Sequence, residues 1–347
     1  KGEWYTYSHT LGPDAVSLYP VKVYDEGYQT LWGLGKYASS PLPGNSTDLN
    51  FGTGASGDVT ISGLSNGDYQ AAPMTTSVSA GQRQVAVGYA NYFVPGTEVL
   101  IIQMQGAGAG NYEFGTVHST NADGTTLTLN DNLVRTYAAG GVNRAQVVNV
   151  PHYRNLTVQA GGTYAPPRWN GITGGVLAFR ASGTVSIAQG GKIDASFSGF
   201  RGGSIGPQKD TIGYQGENET GTQYRMESAN GVGGGSGDYR DAGGGGGHAN
   251  YGGRGYLNGD LGQAQEGGYG GNPVGTPELT TMLMGGGGGA GNYHPNNPSC
   301  SYGHPGAGIL IIAAENLNVS GEIDANGEDA IPYYYCRSGG AGAGGSI

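Results

Sequence analysis

Apolar and polar residues alternate with period two in short runs along the first half of the chain, and each run predicts a β-strand. Val21-Lys22-Val23-Tyr24 alternates as a half-buried strand should, and Asp58-Val59-Thr60-Ile61-Ser62-Gly63 reads as a strand and a stop. Gln84–Val87, Gln146–Val150 and Leu156–Gln159 are further strands. Glu98–Gln105 is the strongest, and its unbroken apolar stretch Val99–Ile102 predicts burial on both faces. Phe114–Val117 and Leu127–Leu129 flank Asn121-Ala122-Asp123-Gly124, an Asp-Gly hairpin signal. Short strands at this spacing predict a β-sandwich or a barrel over residues 51–160. Residues 1–50, punctuated by Pro41-Leu42-Pro43-Gly44-Asn45, read as an N-terminal arm or small subdomain with β-pieces at Trp4–Tyr7, Val16–Tyr24 and Gln29–Leu34.

In residues 161–347 the pattern changes, because one segment occurs twice. Gly175-Val176-Leu177-Ala178-Phe179 leads through a short step to Val185-Ser186-Ile187 and then to Lys192-Ile193-Asp194-Ala195. Gly308-Ile309-Leu310-Ile311-Ile312 leads likewise to Leu317-Asn318-Val319 and Glu322-Ile323-Asp324-Ala325. Strands joined by tight turns and repeated in this way predict rungs of a parallel β-solenoid. A pair of ordinary strand–turn–strand units in a sandwich is the competing reading. The expected fold is therefore all-β: a sandwich or barrel-like N-terminal part plus solenoid-like rungs.

Between the two copies, at about 199–305, lies a glycine tract with the five-glycine runs Gly243–Gly247 and Gly285–Gly289. It has too little apolar periodicity for a conventional core. A flexible linker is one reading. A packed bundle of polyglycine II helices, left-handed with three residues per turn, is the other. Single Tyr, Asn and His residues interrupt the runs, and both ends are anchored in copies of one folded unit, which favours packing. A glycine run also precedes Ser346-Ile347, as it does Val176 and Ile309, so a further rung is expected to begin there.

Composition narrows the function. Of 347 residues 72 are Gly, only 12% are charged, and Asp+Glu exceed Lys+Arg to give a formal net charge of -10. An acidic chain without a basic cluster is repelled by nucleic-acid phosphates and by anionic lipid, and no apolar run is long enough to span a bilayer. The start at Lys1-Gly2-Glu3-Trp4 reads as that of a processed, secreted product. In that setting Cys300 and Cys336 are expected to form a disulfide. Asn45, Asn155, Asn218 and Asn318 lie in sequons and are candidate glycosylation positions.

Catalytic patterns are sparse. Gly106-Ala107-Gly108-Ala109-Gly110 follows a strand but precedes no helix signal, so it is a poor nucleotide site. His294, Cys300 and His304 lack a fourth ligand for zinc. Asp194 and Asp324 are equivalent repeat positions and read as turn residues. No cofactor is expected; Asp-Gly turns such as Asp123-Gly124 offer calcium an opportunistic ligand at most. Tyrosine is the remaining signal, with 24 Tyr against 6 Phe and a cluster at Tyr333-Tyr334-Tyr335. Such rings suit stacking on sugars or on a neighbouring subunit.

The stretches Val99–Tyr112, Trp169–Gly203 and Gly285–Gly327 resemble glycine-rich secreted bacterial surface proteins of the adventurous-gliding-motility type. The glycine tract is also similar to the glycine-rich extracellular region of some receptor tyrosine kinases, where polyglycine II packing occurs. These resemblances imply a cell-surface or extracellular location. The expected function is a non-enzymatic structural protein that assembles with itself into a fibre, sheath or surface layer, with Trp4, Tyr5, Tyr7, Ser346 and Ile347 as candidate subunit contacts. The alternatives are an adhesin that binds surface glycans and a polysaccharide-degrading β-solenoid enzyme.

Overall fold

The computed structural model describes residues 50–207, 211–237, 242–255, 267–275, 279–292, 301–330 and 338–347, together with the backbone of 23–24 and 30–31. Its described elements are all strands. β1 (Val23–Tyr24) and β2 (Thr30–Leu31) form a small antiparallel pair. The rest divides into a barrel, a parallel solenoid and a glycine bundle.

The barrel contains β5 (Ala71–Pro73), β6 (Gln84–Ala86), β7 (Glu98–Gln105), β8 (Tyr112–Thr120), β9 (Thr126–Leu129) and β10 (Arg144–Val150), in the spatial order β5-β10-β7-β8-β9-β6. Every pairing is antiparallel, and the Met74–Val87 bridge closes β5 onto β6. Closure removes the sheet edges. Period-two alternation sends Val85, Val99, Ile101, Val117, Leu127, Leu129 and Val147 to the barrel interior, where they pack with Phe93 and Tyr137. The other face of β7, with Leu100, Ile102 and Met104, is buried against Val176, Ile309, Met284 and Phe200. This explains the unbroken apolar run of β7. The expected hairpin joins β8 to β9, and Asn121 Oδ1 accepts from the amides of Thr125 and Thr126 (2.8 and 2.9 Å).

Four rungs make the solenoid. β3 (Asp58–Ile61), β12 (Asn155–Val158), β14 (Val176–Ile187) and β16 (Ile309–Val319) pair in parallel, and β11 (His152–Tyr153) pairs with the first half of β14. A second parallel sheet stacks β4 (Leu64–Ser65), β13 (Thr163–Tyr164), β15 (Lys192–Asp194) and β17 (Glu322–Asp324). The register aligns Val59, Leu156, Val185 and Leu317 in one ladder and Ile61, Val158, Ile187 and Val319 in the next. Tyr153, Tyr164 and Phe179 fill the interior at the corner, with the two phenol oxygens 3.0 Å apart. Residues 58–61 and 155–158, grouped with the β-rich domain on sequence, thus belong to the parallel stack. The barrel is inserted between its first and second rungs, and the glycine tract between its third and fourth.

The described part of the glycine tract is packed. Along residues 285–291 the amides of Gly285, Gly288 and Gly291 donate to the carbonyls of Ala307, His304 and Ser301 (2.9, 2.9 and 2.7 Å). Those of Gly286 and Gly289 donate to Gly247 and Gly244 (3.1 and 2.8 Å), and those of Gly287 and Ala290 to Glu217 and Tyr214 (3.1 and 2.9 Å). The carbonyls of the same segment accept from Phe200 and Gly203, from Gly234 and Gly237, and from Ala343 and Gly340. Every third residue faces the same neighbour, so the segment winds with three residues per turn and bonds six surrounding segments. This is the geometry of polyglycine II, in which a chain without internal hydrogen bonds satisfies its amides laterally. Glycine is required here by contact rather than by conformation: a Cβ on Gly288 would stand 1.9 Å from the Gly340 oxygen.

Candidate functional site

Two features of the surface could engage a partner: the ends of the parallel stack, and a cleft where the barrel meets the solenoid.

β3 is the outermost strand on one side of the first parallel sheet and β16 the outermost on the other. Beyond the Ile309–Ser346 bridge, β16 has no partner on its outer side among the described residues. Its Leu317 and Val319, whose counterparts in the inner rungs are buried, are 47% and 39% exposed. At the opposite end Leu64 of β4 is 84% exposed. On the second sheet the stacked Asp194 and Asp324 lie beside Lys192, which pairs with Glu322. Burial, with Asp194 and Glu322 nearby, raises the Asp324 carboxyl above the ordinary aspartate value.

The junction between barrel and solenoid is held by a mostly buried ion network. Arg180 of β14 donates to both oxygens of Glu98 in β7 (2.5 and 3.0 Å), and His152 Nε2 lies 2.9 Å from Glu98 Oε2. The Arg180 guanidinium also stands 4.9 Å from the centre of the Phe114 ring. Burial alone would raise the Glu98 carboxyl, but the hydrogen bonds from His152 and Arg180 and the Arg180 charge hold it below the ordinary glutamate value. A second tie joins the barrel to the glycine bundle. Glu217 accepts from Arg201 Nε, from the Arg201 amide and from Gln105 Nε2 (2.9, 3.0 and 3.2 Å).

Beside this junction opens a cleft of about 420 Å³. The barrel supplies Tyr69, Gln70, Ala71, Tyr89 and Tyr92, and the loop before β14 supplies Pro167, Arg168, Asn170, Thr173 and Gly174. Tyr89 and Tyr92 are 41% and 57% exposed and meet edge to face, with centroids 5.8 Å apart and planes at 83°. The Tyr69 hydroxyl is buried and has no hydrogen-bond partner among the described residues. That burial, with Tyr89 adding to it, raises its pKa above the ordinary tyrosine value. Asn170 Oδ1 caps the turn by accepting from the amides of Ile172 and Thr173 (2.8 and 2.9 Å). Arg168 is the one charged side chain in the described lining.

Most residues singled out on sequence lie elsewhere. Cys300, Cys336, Trp4, Tyr5, Tyr7, Asn45, His294 and the Tyr333–Tyr335 cluster fall outside the described residues. Ser346 and Ile347 are engaged within the chain, contrary to their expected availability to a partner. Ser346 bridges Ile309, its carbonyl accepts from Leu310 (2.9 Å), and Ile347 packs against the solenoid core. Asn218 is fully buried, its amide nitrogen donating to Thr222 O (2.8 Å) and its oxygen accepting from the Thr220 amide (2.8 Å), so this sequon is closed to a glycan in the folded chain. Asn155 is tied to Asp58 and to the Thr184 amide (2.9 Å each), whereas Asn318 is exposed on β16. The cleft has no counterpart among the sequence candidates. Its tyrosines and Arg168 are far apart in sequence, and only the insertion of the barrel into the solenoid brings them together.

Among the described residues no helix is long and apolar enough to cross a membrane. Neither a protein-family model nor a curated protein matches the chain. Parts of it align with solved phage tailspikes. The Gp54 tailspike of Acinetobacter baumannii bacteriophage AP22, in complex with A. baumannii capsular saccharide, is 14% identical over 40% of this chain and 21% of that one, with a TM-score of 0.22. The tailspike gp49 from Pseudomonas phage LKA1 is 20% identical over 42% and 26%, with a TM-score of 0.20. The tailspike gp61 from Pseudomonas phage phi297 is 15% identical over 40% and 32%, with a TM-score of 0.20. The chain therefore spans less than a third of the length of each, and likeness at this level bears on neither activity nor partner.

Proposed function

We propose that the chain is a non-catalytic extracellular structural protein whose copies stack end to end through the parallel solenoid. The observation that supports this is the ladder Val59–Leu156–Val185–Leu317, with its companion Ile61–Val158–Ile187–Val319, which runs through four rungs and ends at β3 and β16 on outer edges that, beyond the Ser346 bridge, have no partner strand among the described residues. The outer edge of β16 offers β3 of a second copy the same alternation that it meets in β14. Both edges are parallel strands, so the contact is head to tail. A head-to-tail contact stacked along the rung axis leaves a free edge at each end and so extends as a filament rather than closing into a ring.

Negative-stain electron microscopy and sedimentation velocity test the reading. The chain is expected to form rods as its concentration rises, with rungs spaced at about 4.8 Å. Leu317→Lys puts a charge on the β16 edge and is expected to leave dispersed particles with an unchanged far-UV circular dichroism spectrum. Unmodified chain that stays monomeric at high concentration, or rods that persist in Leu317→Lys, would overturn it.

A further inference from the structure

We infer that the cleft between barrel and solenoid is a binding site for an acidic saccharide, an oligomer of uronic-acid type, and that it acts independently of how copies associate.

Two observations carry this. The first is the pair of rings. An exposed tyrosine ring presents an apolar face that covers the C–H face of a sugar while its hydroxyl stays wet. Tyr89 and Tyr92 stand at 83° to one another, so two adjoining walls of the cleft are aromatic. An exposed aromatic pair in a concave, otherwise polar setting marks a recognition surface more than a packing residue.

The second is charge. The chain has a formal net charge of -10, yet the described lining of the cleft contains no carboxylate and one guanidinium, Arg168. Arg168 lies over the Phe197 ring, 5.8 Å from its centre, and no carboxylate is paired with it among the described residues. A guanidinium held by a ring with its donors free suits a planar carboxylate, which it takes in bidentate fashion. The same lining argues for binding rather than cleavage, since glycoside hydrolysis ordinarily uses a pair of carboxylates flanking the bond.

The experiment uses the full chain with tetramers of galacturonate, mannuronate and hyaluronan, and with methyl-esterified tetragalacturonate as the uncharged counterpart. Titration calorimetry and saturation-transfer NMR give affinity and contact. At least one acid tetramer is expected to bind, with the esterified form weaker by about tenfold, as expected for loss of a charge-assisted pair. Tyr92→Ala is expected to weaken binding about fivefold or more through loss of stacking. Arg168→Gln is expected to abolish the preference for acid over ester while leaving weak binding of both. The inference is overturned if none of the acid tetramers binds at millimolar concentration. It is equally overturned if the ester binds as well as the acid, or if Tyr92→Ala and Arg168→Gln bind like the unmodified chain.

Discussion

Gly288 and Gly253 separate two roles that glycine plays in this chain. A Cβ at Gly288 would meet the Gly340 backbone at 1.9 Å, whereas at Gly253 it would meet nothing within 4 Å. Gly288→Ala is therefore expected to lower unfolding free energy by about 1–3 kcal/mol or more, the cost of forcing apart a packed interior. Gly253→Ala is expected to stay within about 0.5 kcal/mol of the unmodified chain. Denaturant titration distinguishes them, and equal effects would mean that the close packing is not maintained in solution. Glu98 sets a pH dependence. Its carboxyl holds a proton less tightly when folded than when unfolded, because Arg180 and His152 bond the charged form. Its contribution is thus complete above the unfolded value and is lost as pH falls through the lower folded value. Glu98→Gln leaves Arg180 buried without its anion and is expected to cost about 3 kcal/mol at pH 7. Its deficit should narrow below about pH 4, as the unmodified chain loses the same charge. A deficit independent of pH would show that shape rather than charge is lost.

At the scale of elements, the glycine segments behave as secondary structure even though they are neither helix nor strand. All six amides from Gly285 to Ala290 donate to other segments. Their hydrogen exchange is expected to be slowed roughly a thousandfold or more against a free peptide, since exchange must await opening of the surrounding bundle. Exchange at the free-peptide rate would identify the tract as a tether. Legibility differed sharply among the elements. The third and fourth rungs could be aligned on sequence because the whole sequence Val/Ile alternation, Gly, Ile-Asp-Ala recurs, and the structural register pairs Val176 with Ile309 and Asp194 with Asp324. Val59-Thr60-Ile61 and Leu156-Thr157-Val158 show the same alternation. They were harder to see because their second strands, Leu64–Ser65 and Thr163–Tyr164, are only two residues long and lack the Ile-Asp-Ala ending. The packing of the glycine tract was legible only as a preference, since nothing local says which six segments will surround a given run.

For the molecule as a whole, insertion is the organising device. A four-rung stack with uneven loops would be an unremarkable core, but two of its loops have grown into a closed barrel and a glycine bundle. The buried faces of all three meet in one cluster containing Leu100, Ile102, Val176, Ile309, Met284 and Val232. Each insertion therefore shares apolar surface with the stack it interrupts. The tyrosine cleft is a product of the same device, because Tyr89 and Arg168 become neighbours only through the way the barrel is seated. No pattern in the sequence joins them, which is why tyrosine abundance was visible beforehand and its place of use was not.

The three-residue turn of the glycine segments gives that part of the chain a reading frame. Adding or removing one residue within 285–291 rotates everything beyond it by a third of a turn, so that amides meant for Gly244 and Gly247 face the wrong neighbour. A change of three restores the facing and only slides the segment by one turn. Length in this region is thus quantised in triplets, and the bundle can grow or shrink over generations only in whole steps, as a coding sequence does.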